Sequence, residues 1–288
     1  MFKVIRIFLV LILLSALSFA FTASANITIT QSTLGNNSGF DFELWTQYDD
    51  DDVKMTITGP GTFIGEWNDA YNVLFRTGQK LGNVSTYKEY GDITIEYGAI
   101  HDIIKGDVSY LCVYGWTKDP LIEFYVVDNY GSYKPPGRVG HQGKIEVDGG
   151  TYDVYVATRT GQPSIVGTAT FEQYFSVRAE KRTEGTITLH EHFKAWEEFG
   201  MDMSGTLYEV ALCVEGYKSS GYGHVYSHVL TIGDNTYGSS GKSPLDETDD
   251  TIDFMRFLWL PVLVIVPVVF GALTYLIIFK KRRKGISE

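Results

Sequence analysis

Runs of five to eight residues that alternate apolar and polar side chains recur along this chain, broken by Gly, Asn and Asp. They cover residues 40–47, 54–58, 93–97, 110–116, 121–127, 152–158, 170–177 and 208–214. A strand sends successive side chains to opposite faces, so each run has one face to bury and one to spare. Such runs, closely spaced and separated by turn residues, predict an all-β sandwich. One stretch departs from the period. Residues 190–199 place Phe193, Trp196 and Phe199 at helical spacing and predict a single amphipathic helix.

Two glutamates interrupt otherwise apolar runs. Glu123 lies in Leu121-Ile-Glu-Phe-Tyr-Val-Val127, and Glu215 in Tyr208-Glu-Val-Ala-Leu-Cys-Val-Glu-Gly-Tyr217. By alternation Glu123 shares a face with Tyr125 and Val127, and Glu215 shares one with Cys213 and Tyr217. A carboxylate in mid-strand is costly unless it faces a wet cleft. Two of them among tyrosines suggest acid–base work on a sugar, where one carboxyl group protonates the leaving oxygen and the other attacks the anomeric carbon.

Longer segments sharpen this reading. They are Tyr110 to Gly137, ending Tyr133-Lys-Pro-Pro-Gly137; Gly149-Gly-Thr-Tyr-Asp-Val-Tyr-Val-Ala-Thr-Arg159; Gln162-Pro-Ser-Ile165; Thr170-Phe-Glu-Gln-Tyr-Phe-Ser-Val-Arg178; and Lys181-Arg-Thr-Glu-Gly-Thr-Ile-Thr188 onward to Gly221. In order and content, residues 39–232 resemble the endo-β-1,4-xylanases of glycoside hydrolase family 11. The resemblance implies a two-sheet β-jelly roll with one α-helix, in a catalytic domain of residues 26–242. It implies hydrolysis of internal β-1,4-xylosidic bonds of xylan with retention, Glu123 being the nucleophile and Glu215 the acid/base. It also implies cleft roles for Trp45, Asn72, Tyr114, Tyr125, Arg159, Gln173 and Tyr217. Pro163 falls in the tip of a thumb loop over the substrate. No cofactor and no metal are implied.

The chain departs from the family's pattern in places. Tyr174 is followed by Phe175 where the family has Trp, and Glu215 lies seven positions after Tyr208 where many relatives have a spacing of six. The carry-over of a cleft tyrosine therefore stops short of Tyr208. Other readings are a β-1,4-glucanase of related fold, an inactive membrane-held carbohydrate-binding module, and an adhesin. Retention of both glutamates argues against the last two.

The ends predict export and anchoring. Residues 1–25 carry Lys3 and Arg6, an apolar run and Ala23-Ser-Ala25, the pattern of a secretory signal peptide. An acidic stalk, 243–256, leads to 23 nearly unbroken apolar residues, 257–279, enough to span a bilayer as a helix. The basic tail, 280–288, opens with Lys280-Lys-Arg-Arg-Lys284 and fixes a cytoplasmic C-terminus. The body is then an extracellular, single-pass membrane domain, expected to be monomeric. Sixteen Lys and Arg face 34 Asp and Glu over residues 26–255, a net charge of −18 that argues against nucleic acid as a partner.

Smaller signals have blander readings. Cys112 and Cys213 are the only cysteines, in strands near the two glutamates. Export permits a bond between them, but two buried small hydrophobes is the simpler reading. The aspartates 49–52 lack EF-type spacing and read as a solvated turn. His190 and His192, two apart, read as a helix start and not as metal ligands. Asn26, Asn36 and Asn83 begin glycosylation sequons.

Overall fold

In the computed structural model, residues 26–49, 52–137 and 139–245 are described. The signal segment, the stalk from residue 246, the apolar segment 257–279 and the basic tail lie outside them, as do Asp50 and Asp51. Among the described residues no helix is long and apolar enough to cross a membrane.

The chain runs β1 (Ile27–Ile29), β2 (Thr33–Asn37), β3 (Phe40–Thr46), β4 (Asp52–Gly59), β5 (Thr62–Lys80), α1 (Tyr87–Tyr90), β6 (Ile93–Lys105), β7 (Val108–Lys118) and β8 (Ile122–Tyr130). It continues through β9 (His141–Val147), β10 (Gly150–Ser164), β11 (Gly167–Arg178), β12 (Glu184–Thr188), α2 (Leu189–Glu198), β13 (Thr206–Ile232) and β14 (Asn235–Ser239). The ten-residue α2 is the expected helix. The single turn α1 was not expected; its Thr86 and Glu89 form a capping box.

Strand β13, at 27 residues, belongs to both layers of the jelly roll. Its first half, up to Tyr217, pairs with β7 and with residues 72–80 of β5. Its second half pairs with β6 and with residues 63–70 of β5. Both long strands break register at the same level. Asp69 and Lys218 there adopt φ of 48°, a left-handed conformation that turns the backbone. Gly221 follows, where a Cβ would lie 2.3 Å from the Trp67 ring. The indole is seated by its Nε1, which donates to Ser219 Oγ at 3.0 Å. The expected two sheets are therefore one hydrogen-bonded sheet of 14 strands folded upon itself.

Alternation along each strand divides the side chains as predicted. Ile122, Phe124 and Val126 of β8 join Leu212 and Val214 of β13 in the core between the layers, which Phe193 and Trp196 of α2 also fill. Tyr125, Val127 and Cys213 face the other way, into an aromatic layer with Tyr110, Tyr114, Trp116 and Phe175. Phe199 is half-buried and packs at the core's margin. Cys112 and Cys213 meet as direct cross-strand partners but remain free thiols.

Buried polar groups fasten the layers. Asp128, fully buried, accepts from Tyr97 Oη, Tyr152 Oη and Arg182 Nε, each at 2.6 Å. Three donors offset the desolvation of that carboxylate. His192 meets Asp148 Oδ2 at 3.2 Å, and His190 meets the backbone of Ile93, so both histidines tie α2 to its neighbours.

His228 is wholly buried against Thr77 and Gly61, and burial pushes its pKa down to about 4. An unfolded chain takes up that proton near 6.5, so the stabilisation is full at neutral pH and is lost as pH falls from there toward 4. The loss should reach about 2 kcal/mol by pH 5, on the order of 5 °C in Tm. In His228→Gln the fall in Tm between pH 7 and pH 5 should shrink by that amount; an identical fall in both proteins would refute the assignment.

Candidate active site

The aromatic face of the folded sheet is the floor of a cleft of about 680 Å³. It holds all ten residues singled out from sequence: Trp45, Asn72, Tyr114, Glu123, Tyr125, Arg159, Pro163, Gln173, Glu215 and Tyr217. Four strands supply most of them. β7 and β8 form a hairpin that sets Tyr114 opposite Tyr125 and Trp116 opposite Glu123. β11 runs parallel to β8 and brings Gln173 level with Glu123. β13 carries Glu215 beside Tyr110 of β7 and Leu74 of β5. The β10–β11 pairing loses register between Arg159 and Gln162, and the hairpin tip beyond it brings Pro163, Ser164 and Ile165 to the cleft wall.

The two glutamates sit in unequal surroundings. Glu123 is 7 % exposed and accepts three hydrogen bonds: from Tyr114 Oη at 2.8 Å, Tyr125 Oη at 3.1 Å and Gln173 Nε2 at 2.5 Å. Trp116 Nε1 in turn donates to Tyr114 Oη at 2.5 Å, fixing that phenol. Burial keeps both phenols protonated far above neutral pH, so they stay donors. Burial also pushes the Glu123 pKa up, and the bonds from Gln173, Tyr114 and Tyr125 act against that rise by favouring the carboxylate.

Glu215 has no such cage. Its Oε2 is buried without a partner among the described residues. Burial first, and the nearby Glu123 charge second, push its pKa up to about 8; the charges of Arg76 and Arg159 offset this only in part. One carboxyl group thus suits an ionised nucleophile, and the other a proton-bearing acid.

Beside them lies a cluster of four charges that sequence reading missed, three of which, Glu43, Arg76 and Lys80, line the cleft. Arg76 Nη2 meets Glu43 Oε1 at 2.8 Å, and Lys80 Nζ lies 2.7 Å from Glu43 Oε2 and 2.9 Å from Glu209 Oε1. Burial raises the Glu43 pKa, but the Arg76 and Lys80 charges outweigh it and hold the carboxyl below its usual range. The Arg76 guanidinium also lies 5.0 Å from the centre of the Tyr114 ring, behind the phenol that holds Glu123.

The aromatic cleft residues missed were Tyr71, Tyr110, Trp116, Tyr133, Phe171, Phe175 and Tyr208. Trp116, Phe171 and Phe175 lie two residues from residues that were found, so the period of two was signal enough. Tyr208 carried a misleading signal. β13 breaks register between Leu207 and Glu209, and the bulge at Tyr208 takes up the extra residue in the seven-residue spacing.

Residues 37–226 match the model of glycosyl hydrolases family 11. The chain belongs to this family. It is 50% identical over 217 residues to endo-1,4-beta-xylanase A of Thermoclostridium stercorarium, an alignment that takes in 75% of this chain but 32% of that protein. The chain therefore spans about a third of the length of that relative. A shorter relative, endo-1,4-beta-xylanase A of Bacillus pumilus, is 48% identical over 206 residues, covering 72% of this chain and 87% of its own. Among solved structures, the family 11 xylanase from Neocallimastix patriciarum superposes with a TM-score of 0.67 at 34% identity, over 72% of this chain and all of its own.

Asn72 adjoins the acid candidate. It pairs with Tyr217 in the β5–β13 register, diagonally next to Glu215 on the same face, within reach of a side-chain contact. Its Oδ1 is buried without a donor, just as Glu215 Oε2 is without a partner. A proton on Glu215 shared with Asn72 Oδ1 would give both oxygens a partner. The rate at low substrate should fall as pH rises through about 8, when Glu215 loses its proton. Asn72→Asp adds a third coupled carboxyl group and should move the bell-shaped profile of kcat/KM about one unit toward acid. An unmoved profile would mean that residue 72 does not touch Glu215.

Proposed function

We propose that this chain is a retaining endo-1,4-β-xylanase. The observation that carries the reading is the unequal setting of the two carboxyl groups: Glu123 held by three donors, Glu215 buried with an orphaned oxygen and a pKa of about 8. The family supports it, and so do relatives named as xylanases at close to half identity.

In the first step Glu123 attacks the anomeric carbon of the bound xylosyl unit while Glu215 gives its proton to the departing glycosidic oxygen. The C–O bond to the leaving group breaks and an ester bond to Glu123 forms. The ester carries no charge, so the part of the Glu215 pKa rise that came from repulsion is gone, while that from burial remains. Glu215, now a carboxylate, takes a proton from water, and that water attacks the same carbon. The ester breaks, configuration is retained, and both side chains regain their starting protonation. Tyr125 and Gln173 hold Glu123 in place for the attack. Trp45 offers a flat face for a sugar ring, and Arg159 and Pro163 close the wall above.

Glu123→Ala should lower kcat on xylan by several orders of magnitude with an unchanged circular-dichroism spectrum, because no group remains to form the ester. Added azide should restore turnover and give an α-xylosyl azide, the anion entering from the vacated side. Near-normal activity in the variant would overturn the assignment. Release of reducing sugar from xylan, with carboxymethylcellulose as the control, distinguishes a xylanase from a β-1,4-glucanase.

The same proposal includes export and anchoring. The signal-like residues 1–25, the 23 apolar residues 257–279 and the basic residues after them support an extracellular domain on one spanning helix with a cytoplasmic tail. Full-length protein should then stay with membranes through a high-salt wash, and residues 26–250 alone should be soluble and active. Recovery of the full-length chain in the salt wash would refute a spanning helix.

A further inference from the structure

A chain of two hydrogen bonds crosses the core between the layers and ends on the backbone of Glu215. Along β7, Tyr110 and Cys112 turn to the aromatic cleft face, while Leu111 and Val113 turn to the core. Ser109 alternates with Tyr110 and so faces the core, where it is wholly buried. Its Oγ donates to the carbonyl oxygen of Glu215 at 2.6 Å. On its other side the same Oγ meets His101 Nε2 at 2.8 Å. His101 belongs to β6, which pairs with the second half of β13 in the opposite layer. The two bonds therefore join one layer to the other, just before β13 bends at Lys218.

The direction of each bond follows from a count of protons. A carbonyl oxygen only accepts, so Ser109 commits its single hydroxyl proton to Glu215. Ser109 Oγ then receives its second bond from His101, which assigns the ring to the tautomer protonated at Nε2. The remaining nitrogen, Nδ1, is buried without a partner among the described residues. Burial first, and the charge of Lys181 second, push the His101 pKa down to about 4, so the ring is neutral where Glu215 titrates.

Glu215 faces Glu123 and Tyr125 of β8, Tyr110 of β7, Arg76 of β5 and Arg159 of β10. Burial and the Glu123 charge hold its pKa up, and both depend on where the β13 backbone stands. Its Oε2 has no partner among the described residues, so the backbone bears more of the task of placing the carboxyl group.

We infer that Ser109 is a positioning residue for the acid/base, kept in its donor orientation by His101, and that the pair fixes the depth from which Glu215 protonates the leaving oxygen. The inference rests on the xylanase reading, and its test separates the two.

The full-length protein would be assayed on phenyl β-xylobioside, whose leaving group needs a proton, and on the dinitrophenyl analogue, whose leaving group departs without one. Attack by Glu123 is common to both, and proton donation by Glu215 matters only for the first. Ser109→Ala should lower the ratio of kcat/KM for the phenyl substrate to that for the dinitrophenyl substrate about tenfold, through a small displacement of the proton donor. As β13 relaxes, burial and repulsion both weaken and the Glu215 pKa falls. The alkaline limb of kcat/KM should then move from about 8 toward acid by about half a unit. Ser109→Cys fills the same space with a weaker donor and should show the same changes, so it carries the test if Ser109→Ala fails to fold. His101→Phe keeps a ring without a proton to give and should lower the ratio in the same direction. His101→Gln keeps a donor and should keep most of the ratio. An active wild-type chain whose ratio and alkaline limb survive the Ser109 variants would overturn the positioning role alone. Equal loss on both substrates would overturn it too, since that marks a general disturbance of the cleft. A wild-type chain inert toward both substrates would overturn the xylanase reading and the positioning role with it.

Discussion

Taking two carboxyl groups out of water on one face of a sheet is the constraint on which this cleft depends. Their mutual repulsion and their desolvation both favour protons. Glu123 resists because Tyr114, Tyr125 and Gln173 donate to it, and each donor comes from a different strand. The alignment of β7, β8 and β11 is therefore what places the charge on one glutamate and not the other. Glu215, one strand beyond β7, receives no matching set of donors and keeps its proton to about 8. On the proposed mechanism, the difference between nucleophile and acid is a difference in hydrogen-bond supply, set by strand order.

The charge cluster beside the two glutamates serves the same end. Arg76, Lys80, Glu43 and Glu209 carry two charges of each sign, so the cluster adds little net charge to the site. Its geometry matters more. A buried ion pair is weak evidence for stability, because desolvation can exceed the Coulomb gain. Here the guanidinium stands behind the Tyr114 ring and lowers both glutamate pKa values in part. It stabilises the carboxylate form from a distance, without taking a place on the carboxyl group itself. That leaves the oxygens of Glu123 to Tyr114, Tyr125, Gln173 and, on the proposed mechanism, the substrate.

Much of the molecule was legible in the sequence for one reason: strand periodicity fixes which side chains share a face. Glu123 with Tyr125, and Ile122 with Phe124, separate between cleft and core as alternation requires. The helix at Leu189–Glu198 announced itself through Phe193 and Trp196. Long-range features were not legible. That β5 and β13 bend together at Asp69 and Lys218, and so join both layers, follows from a pairing 150 residues apart in sequence. The charge cluster was missed because Glu43, Arg76, Lys80 and Glu209 come from three strands, and each alone reads as an ordinary surface charge on an alternating strand. The meeting of Cys112 and Cys213 likewise depends on the β7–β13 register, which neither run reveals alone.

The bulge at Tyr208 shows how register and function are tied. Side chains alternate with a period of two, so one extra residue would turn every following side chain to the opposite face. Had the seven-residue interval between Tyr208 and Glu215 been regular strand, a cleft-facing Glu215 would have left Tyr208 pointing into the core. The irregularity between Leu207 and Glu209 absorbs the step, so that Glu209, Cys213 and Glu215 keep to the cleft face and Tyr208 reaches it as well. Lys80 Nζ lies 5.3 Å from the Tyr208 ring centre, which holds the bulged residue against the charge cluster. An inserted residue is tolerated here because the bulge confines it to one position, upstream of the carboxyl group whose placement the chemistry requires.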